Sequence, residues 1–364
     1  MSIKQLFVDA SLVDNPIVSS VSQSLGLAPE PLQDQDLLFS LIKNDSDPWQ
    51  KGKQVLWLTR NKGTFIKKCP GTRDYICCGY QILHFGAYCT MDCAYCILQT
   101  YFHPPVLQYF VNQEALFDEL AAAFKLKTRM RIGTGEFTDS LIWEPWTDLT
   151  RNLIDAFSTQ NHAVLELKTK TTAIERLKSL NHRRKTILSW SLNTPRVIQG
   201  QERGTASLQA RLRAAARAEK WGYPLAFHFD PMILYPGCEA EYLQVLEDLF
   251  SAVSPDNIVW ISMGTIRFMP ALQPIIKRRF PESDIVYGEF IPGLDGKMRY
   301  FKPLRISLYR RMAEWIKARS HDLLVYLCME DETVWRQSFD FSPESNEALA
   351  TMLDDSAKRQ CDLQ

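Results

Sequence analysis

The stretch Tyr88-Cys89-Thr90-Met91-Asp92-Cys93-Ala94-Tyr95-Cys96 sets three cysteines in the spacing C-x3-C-x2-C. Three thiolates on one short loop can hold three corners of a cubane [4Fe–4S] cluster, which ordinarily takes four cysteines. Three protein ligands leave one iron open to a substrate or cofactor. A structural zinc site completed by Cys69, Cys77 or Cys78 is the alternative. Zinc sites usually pair two C-x-x-C-like knuckles, and the adjacent Cys77-Cys78 makes a poor second one.

Outward from the loop the chain alternates. Strands are expected over 81–85, 130–133, 163–167, 186–192, 224–229 and 257–262. Helices are expected between them over 113–126, 146–157, 172–180, 207–221 and 239–250. Leu116, Phe117, Leu120 and Phe124 mark an apolar stripe at helical spacing, as do Tyr242, Val245, Leu246 and Leu249. Strands alternating with helices imply an α/β fold with a parallel sheet. Six such units predict a partial (β/α)6 TIM-like barrel, with chemistry at the carboxyl ends of the strands.

The flanks read differently. Residues 1–70 predict a small N-terminal α/β cap, with strands over 5–9 and 54–58 and a helix over 15–25. Residues 71–263 are the barrel, and 264–364 a C-terminal α+β extension. That extension is expected to hold helices over 271–280 and 304–318 and strands over 284–290 and 323–327. Asp295-Gly296 signals a hairpin turn. The Ser-, Asp- and Glu-rich tail after Phe341 is expected to fray.

Composition narrows the class. The 364 residues are 46% apolar and 23% charged, ordinary for a globular enzyme. No apolar run approaches the length of a membrane span. The opening Met1-Ser2-Ile3-Lys4-Gln5 lacks the regions of a signal peptide, so a cytoplasmic protein with reduced thiols is expected. Zero formal net charge excludes a whole-molecule basic field and leaves nucleic-acid contact to a local patch. A monomer is expected.

The cysteine loop resembles that of the radical S-adenosylmethionine superfamily. The resemblance implies that the open iron chelates S-adenosylmethionine and that one electron releases a 5′-deoxyadenosyl radical. A flavodoxin or ferredoxin is the electron donor it implies. Gly133-Thr134-Gly135-Glu136 follows the second barrel strand and resembles the segment that holds the methionyl amine. Small residues there let backbone approach a ligand, and the carboxylate can accept hydrogen bonds from an ammonium. The resemblance narrows to the spore photoproduct lyase family through 89–100, Lys168-Thr169-Lys170, Trp190-Ser191-Leu192-Asn193, Glu202-Arg203-Gly204-Thr205 and 220–225. It implies cluster ligation by Cys89, Cys93 and Cys96, with Tyr95 beside the cluster. It implies cofactor binding by Gly133, Gly135, Glu136, Thr138, Asp139, Lys170, Ser191 and Asp230. Glu202 is expected either to bind ribose hydroxyls or to cap the following helix.

Two departures stand out. The lyases carry a hydrogen-donor cysteine where this chain has Phe137, and a relay tyrosine where it has Ile97. Cys238 and Tyr235, past the fifth strand, are candidate replacements in the catalytic role. The hairpin residues Lys297, Arg299, Tyr300 and Lys302 interleave cations with aromatics, which suits phosphate contact and base stacking. The expected activity is therefore radical cleavage of a DNA photolesion. The alternatives are a different substrate attacked by the same radical, and a nucleic-acid-binding protein with a structural metal.

Overall fold

The computed structural model describes residues 2–72 and 74–364; Met1, which opens the N-terminal stretch read above, and Arg73 lie outside the described residues. Seven strands run parallel in one sheet. In spatial order they are Val325–Leu327, Ile258–Thr265, Leu225–Met232, Thr186–Ser191, Ala163–Thr169, Met130–Gly133 and Gln81–Leu83. Ile66–Lys68 adds an antiparallel edge. Apolar runs such as Ala163-Val164-Leu165 and Ile258-Val259-Trp260-Ile261 are buried throughout. That is the pattern of strands covered on both faces. The partial barrel is as expected, with one strand more. Val325–Leu327 pairs in parallel with Ile258–Thr265 and extends the sheet.

Outer helices cover the sheet. Gln113–Lys125 buries Leu116 and Leu120, and Cys238–Ala252 buries Tyr242, Val245, Leu246 and Leu249. Leu208–Lys220 starts where the Ser207 side chain accepts the Ala210 N–H at 3.3 Å. The helix expected over 172–180 is reduced to one 3-10 turn, Glu175–Leu177. The hydroxyls of Thr169 and Thr171 accept the backbone N–H groups of Thr171 and Ala173, which diverts the chain from a helical start. The helix expected from 146 begins later, at Leu149–Ser158.

A second sheet carries the cap. Its order is Pro29–Leu32, Gln5–Asp9, Val55–Thr59, Leu107–Phe110, Gly86–Ala87. The last two strands flank the cysteine loop, so the loop leaves and re-enters this sheet. Gly86 is required there: a Cβ would stand 2.8 Å from the Gln108 carbonyl oxygen.

Two contacts tie the chain ahead of the first barrel strand to the C-terminal region. Ile76 N–H donates to Glu330 O at 3.0 Å, and Thr72 Oγ1 donates to Asp295 Oδ2 at 2.7 Å. The Asp-Gly signal is a true hairpin, Phe290–Pro292 against Met298–Tyr300. The strand expected over 284–290 is mostly turn. Gly288 lies flat on the Tyr300 ring, where a Cβ would meet Cε1 at 2.7 Å.

The tail is the main correction. It forms the helix Asn346–Gln360, capped by Ser345, with Leu349, Leu353 and Ala357 fully buried. It closes the amino-terminal end of the barrel. Asp354 pairs with Arg131 at 2.6 Å, and Lys185 Nζ donates to the Cys361 and Asp362 carbonyls. Leu353→Ala should therefore cost about 2–4 kcal/mol of stability, read as a lower urea midpoint at unchanged slope.

Candidate active site

The cysteine loop is irregular backbone held by buried polar groups. Lys53, 2% exposed, donates from Nζ to the Cys89 and Met91 carbonyls and lies 3.6 Å from Asp92 Oδ1. Arg279 Nη2 donates to Asp92 from the other side at 3.0 Å. Gln99 Nε2 donates to the Ala94 carbonyl at 3.0 Å. Cys93 pairs with Glu202 in a short antiparallel bridge, and Ala94 N–H donates to Gln201 O at 2.8 Å. Tyr88 turns the chain with φ of 71° while its N–H donates to Phe137 O.

This frame aims Cys89, Cys93 and Cys96 at one cavity of about 260 Å³. Its other walls come from the carboxyl ends of the strands: Gly135, Glu136 and Asp139, then Lys168 and Lys170, then Ser191, then Asp230. Tyr95, Thr138 and Lys297 line it too. Gly135 is packed tightly, since a Cβ would stand 2.9 Å from Lys168 Cβ.

Several expected ligands have internal work. Asp139 accepts from Thr169 Oγ1 at 2.8 Å, from Leu141 N–H at 3.0 Å and from Lys170 N–H at 2.8 Å. It braces the segment that carries Lys170. Asp230 is held by Arg267 through Nη2 at 2.9 Å and Nη1 at 3.2 Å. Glu202 does not line the cavity, and the following helix is capped by Ser207 instead. Glu202 pairs with buried Arg211 and accepts the Tyr95 hydroxyl. Gly133 does not line the cavity; its missing Cβ makes room for the Tyr80 hydroxyl.

Other expectations are corrected. Cys238 and Tyr235 are outside the cavity wall. Cys238 begins the helix Cys238–Ala252, and the Tyr235 hydroxyl bonds Thr194 and Glu241. Arg299 is buried over the Tyr75 ring and donates to Asp295 and the Met329 carbonyl. Tyr300 is buried, and its hydroxyl accepts the Leu234 N–H. Neither can stack on a base. Lys302 pairs with Asp331 at 3.0 Å, and Lys297 points between Asp295 and the cavity. The hairpin offers solvent Ile291 and Leu294 instead, the latter 74% exposed. Arg267, Tyr101, Ile266 and Met329 complete the cavity, though no sequence motif marked them.

The site is electrostatically dense. Burial pushes the Cys89 thiol up to about 12 and the Cys93 thiol well above its ordinary value, so metal must displace these protons. Burial works against the Lys168 ammonium, yet Glu136, Glu166 and Asp230 raise its pKa above the ordinary value. Below the cavity, His228 joins Glu166 and Ser262 at 2.6 Å each. Burial alone would raise the Glu166 pKa, but the His228 ring together with Lys168 and Ser189 outweighs it and holds it down to about 2.

The family model for spore photoproduct lyase matches residues 77–290. The chain belongs to the spore photoproduct lyase family. It is 28% identical over 252 residues to the spore photoproduct lyase of Bacillus subtilis (strain 168), covering 68% of this chain and 72% of the relative. It is 23% identical over 263 residues to that of Clostridium acetobutylicum, covering 71% and 74%. A spore photoproduct lyase mutant with bound AdoMet and dinucleoside spore photoproduct has the same fold. Its TM-score is 0.78 at 19% identity, over 91% of this chain and 99% of that one. The chain is thus a radical S-adenosylmethionine lyase, of a family that uses a [4Fe–4S] cluster and S-adenosylmethionine as cofactors.

The residues present fit those groups. Among the described residues no three Cys, His, Asp or Glu side chains converge on a single-ion position. A cubane needs no such convergence, because it spreads its thiolates over separate irons. Three thiols on one cavity wall, with the strand ends forming the other walls, suit it.

Two outcomes follow. Lys53→Met leaves two carbonyls without their buried donor and Asp92 with Arg279 alone, and should weaken cluster retention by about 10-fold or more, read as iron per chain after reconstitution. Glu166 contributes stability in full above pH 4.5, its ordinary pKa, and loses it as pH falls toward 2. Glu166→Gln should flatten acid unfolding across that window, followed by circular dichroism.

Proposed function

We propose that the chain reverses spore photoproduct in DNA, with Cys89, Cys93 and Cys96 holding the cluster. Its family membership carries this reading, and the cavity is consistent with it. When bound, the cluster and S-adenosylmethionine supply the 5′-deoxyadenosyl radical that abstracts hydrogen from the lesion. Everything else falls to the protein, which binds, orients and excludes water.

In this reading Lys170 meets the methionyl carboxylate, since its ammonium reaches the cavity beside the Tyr95 ring at 5.9 Å. Glu136 accepts from the methionyl amine, while Gly135 lets the strand end approach. Ser191 offers a hydroxyl to the nucleoside from its strand terminus. Asp139 and Glu202 act indirectly, by fixing Lys170 and Tyr95. Asp230, clamped by Arg267, closes the far wall. Ile291 and Leu294 at the hairpin suit an apolar wedge against unstacked bases. Lys297 then faces the lesion and not the duplex backbone. A flavodoxin or ferredoxin is the proposed electron donor.

Anaerobic reconstitution tests the reading. With a reductant, S-adenosylmethionine and an oligonucleotide carrying the lesion, repaired thymines should appear, and Cys93→Ala should abolish both repair and 5′-deoxyadenosine. Nucleoside release without repair would contradict the substrate. Release that survives Cys93→Ala would contradict the ligands.

A further inference from the structure

The lyase reading needs a hydrogen atom returned to the carbon radical left after bond scission. Phe137 cannot give it. Its ring turns out of the cavity onto His84, at 4.7 Å between centroids. Ile97 lines the cavity but has no weak X–H bond. Few side chains of the cavity wall have one. Its only thiols are the cluster cysteines. Its lysines, acids, serine and threonines have N–H or O–H bonds too strong to yield a hydrogen atom to carbon. Two phenols are left, Tyr95 and Tyr101. The Tyr95 hydroxyl is committed to Glu202. Tyr101 is 44% exposed, and among the described residues its hydroxyl makes no hydrogen bond to protein.

Position supports the choice. Tyr101 ends the short helix Leu98–Tyr101, whose N-cap is Ile97. Residues four apart on a helix share a face, so Tyr101 projects on the Ile97 side. We propose that Tyr101 is the hydrogen-atom donor of this chain, serving in place of the absent thiol and tyrosine; this rests on the lyase reading above. Burial, with Glu136 and Cys69 nearby, raises the phenol pKa and keeps the O–H bond intact at neutral pH.

The step balances. A C–H bond forms on the product radical, the Tyr101 O–H bond breaks, and the unpaired electron moves to the phenoxyl group. One electron from the low-potential donor protein and one proton from solvent restore the phenol. Cys69, Cys77, Cys78 and Cys328 stand outside the cavity wall, and their serine variants separate them from the phenol.

The test uses reconstituted holoenzyme and lesion-bearing oligonucleotide in D2O. Wild type should place one solvent deuterium in the repaired thymine and show a tyrosyl signal by freeze-quench electron paramagnetic resonance. Tyr101→Phe should lose that signal and cut repair per 5′-deoxyadenosine by about 10-fold or more, with nucleoside release and S-adenosylmethionine binding within about twofold of wild type. Undiminished repair with the same deuterium in Tyr101→Phe would overturn the proposal. So would the loss of coupling in Cys69→Ser, Cys77→Ser, Cys78→Ser or Cys328→Ser instead, since a thiol would then be the donor. Weakened S-adenosylmethionine binding in Tyr101→Phe would make the phenol a binding group and overturn it too. Failure of the wild type to repair while still releasing nucleoside would sink the substrate reading, and this inference with it.

Discussion

A buried ammonium holding two loop carbonyls is the contact on which the site depends. Cluster ligands on a short loop need backbone that is neither helix nor strand, and such backbone leaves polar groups without ladder partners. Lys53 supplies donors to Cys89 O and Met91 O, and Asp92 balances its charge. Lys53 belongs to the cap, Asp92 to the loop, and Arg279, on the far side of Asp92, to the helix Leu272–Arg279. Three parts of the chain thus meet at one ion network. The cap is therefore part of the active-site frame, which explains why its sheet takes in strands from both sides of the loop.

Charged groups around the cavity fall into two sets. Asp139, Glu202, Arg211 and Arg299 spend their hydrogen bonds on protein, and buried polar groups so satisfied hold geometry in place. Glu136, Lys168 and Lys170 reach the cavity itself. The second set can meet a zwitterionic ligand, because it offers both signs at the end of two adjacent strands.

Much of this was legible in the chain. The barrel strands were readable because both of their faces are buried, giving short apolar runs with turn signals between them. The cysteine spacing was readable because its chemistry is local, as was the Asp295-Gly296 turn. What escaped depends on contacts distant in sequence. The tail helix looked like a polar terminus, although Leu349, Leu353 and Ala357 hold a helical spacing and are fully buried, and Ser356 donates to the Val259 carbonyl. Gly133 resembled a ligand cradle, but its neighbour is Tyr80. Arg299 and Tyr300 read as exposed until Tyr75, Asp295 and Leu234 were seen to enclose them. Arg267 carried no motif, and its role appears only once the strand ends are brought together around Asp230.

The site depends on one iron of the loop's cluster being open to S-adenosylmethionine. Electron paramagnetic resonance of the reduced, reconstituted protein, with and without S-adenosylmethionine, tests it most directly. A [4Fe–4S]⁺ signal whose g-values shift when the cofactor is added is the result expected. A signal unmoved by saturating cofactor, or anaerobically purified protein that binds zinc and no iron, would contradict it.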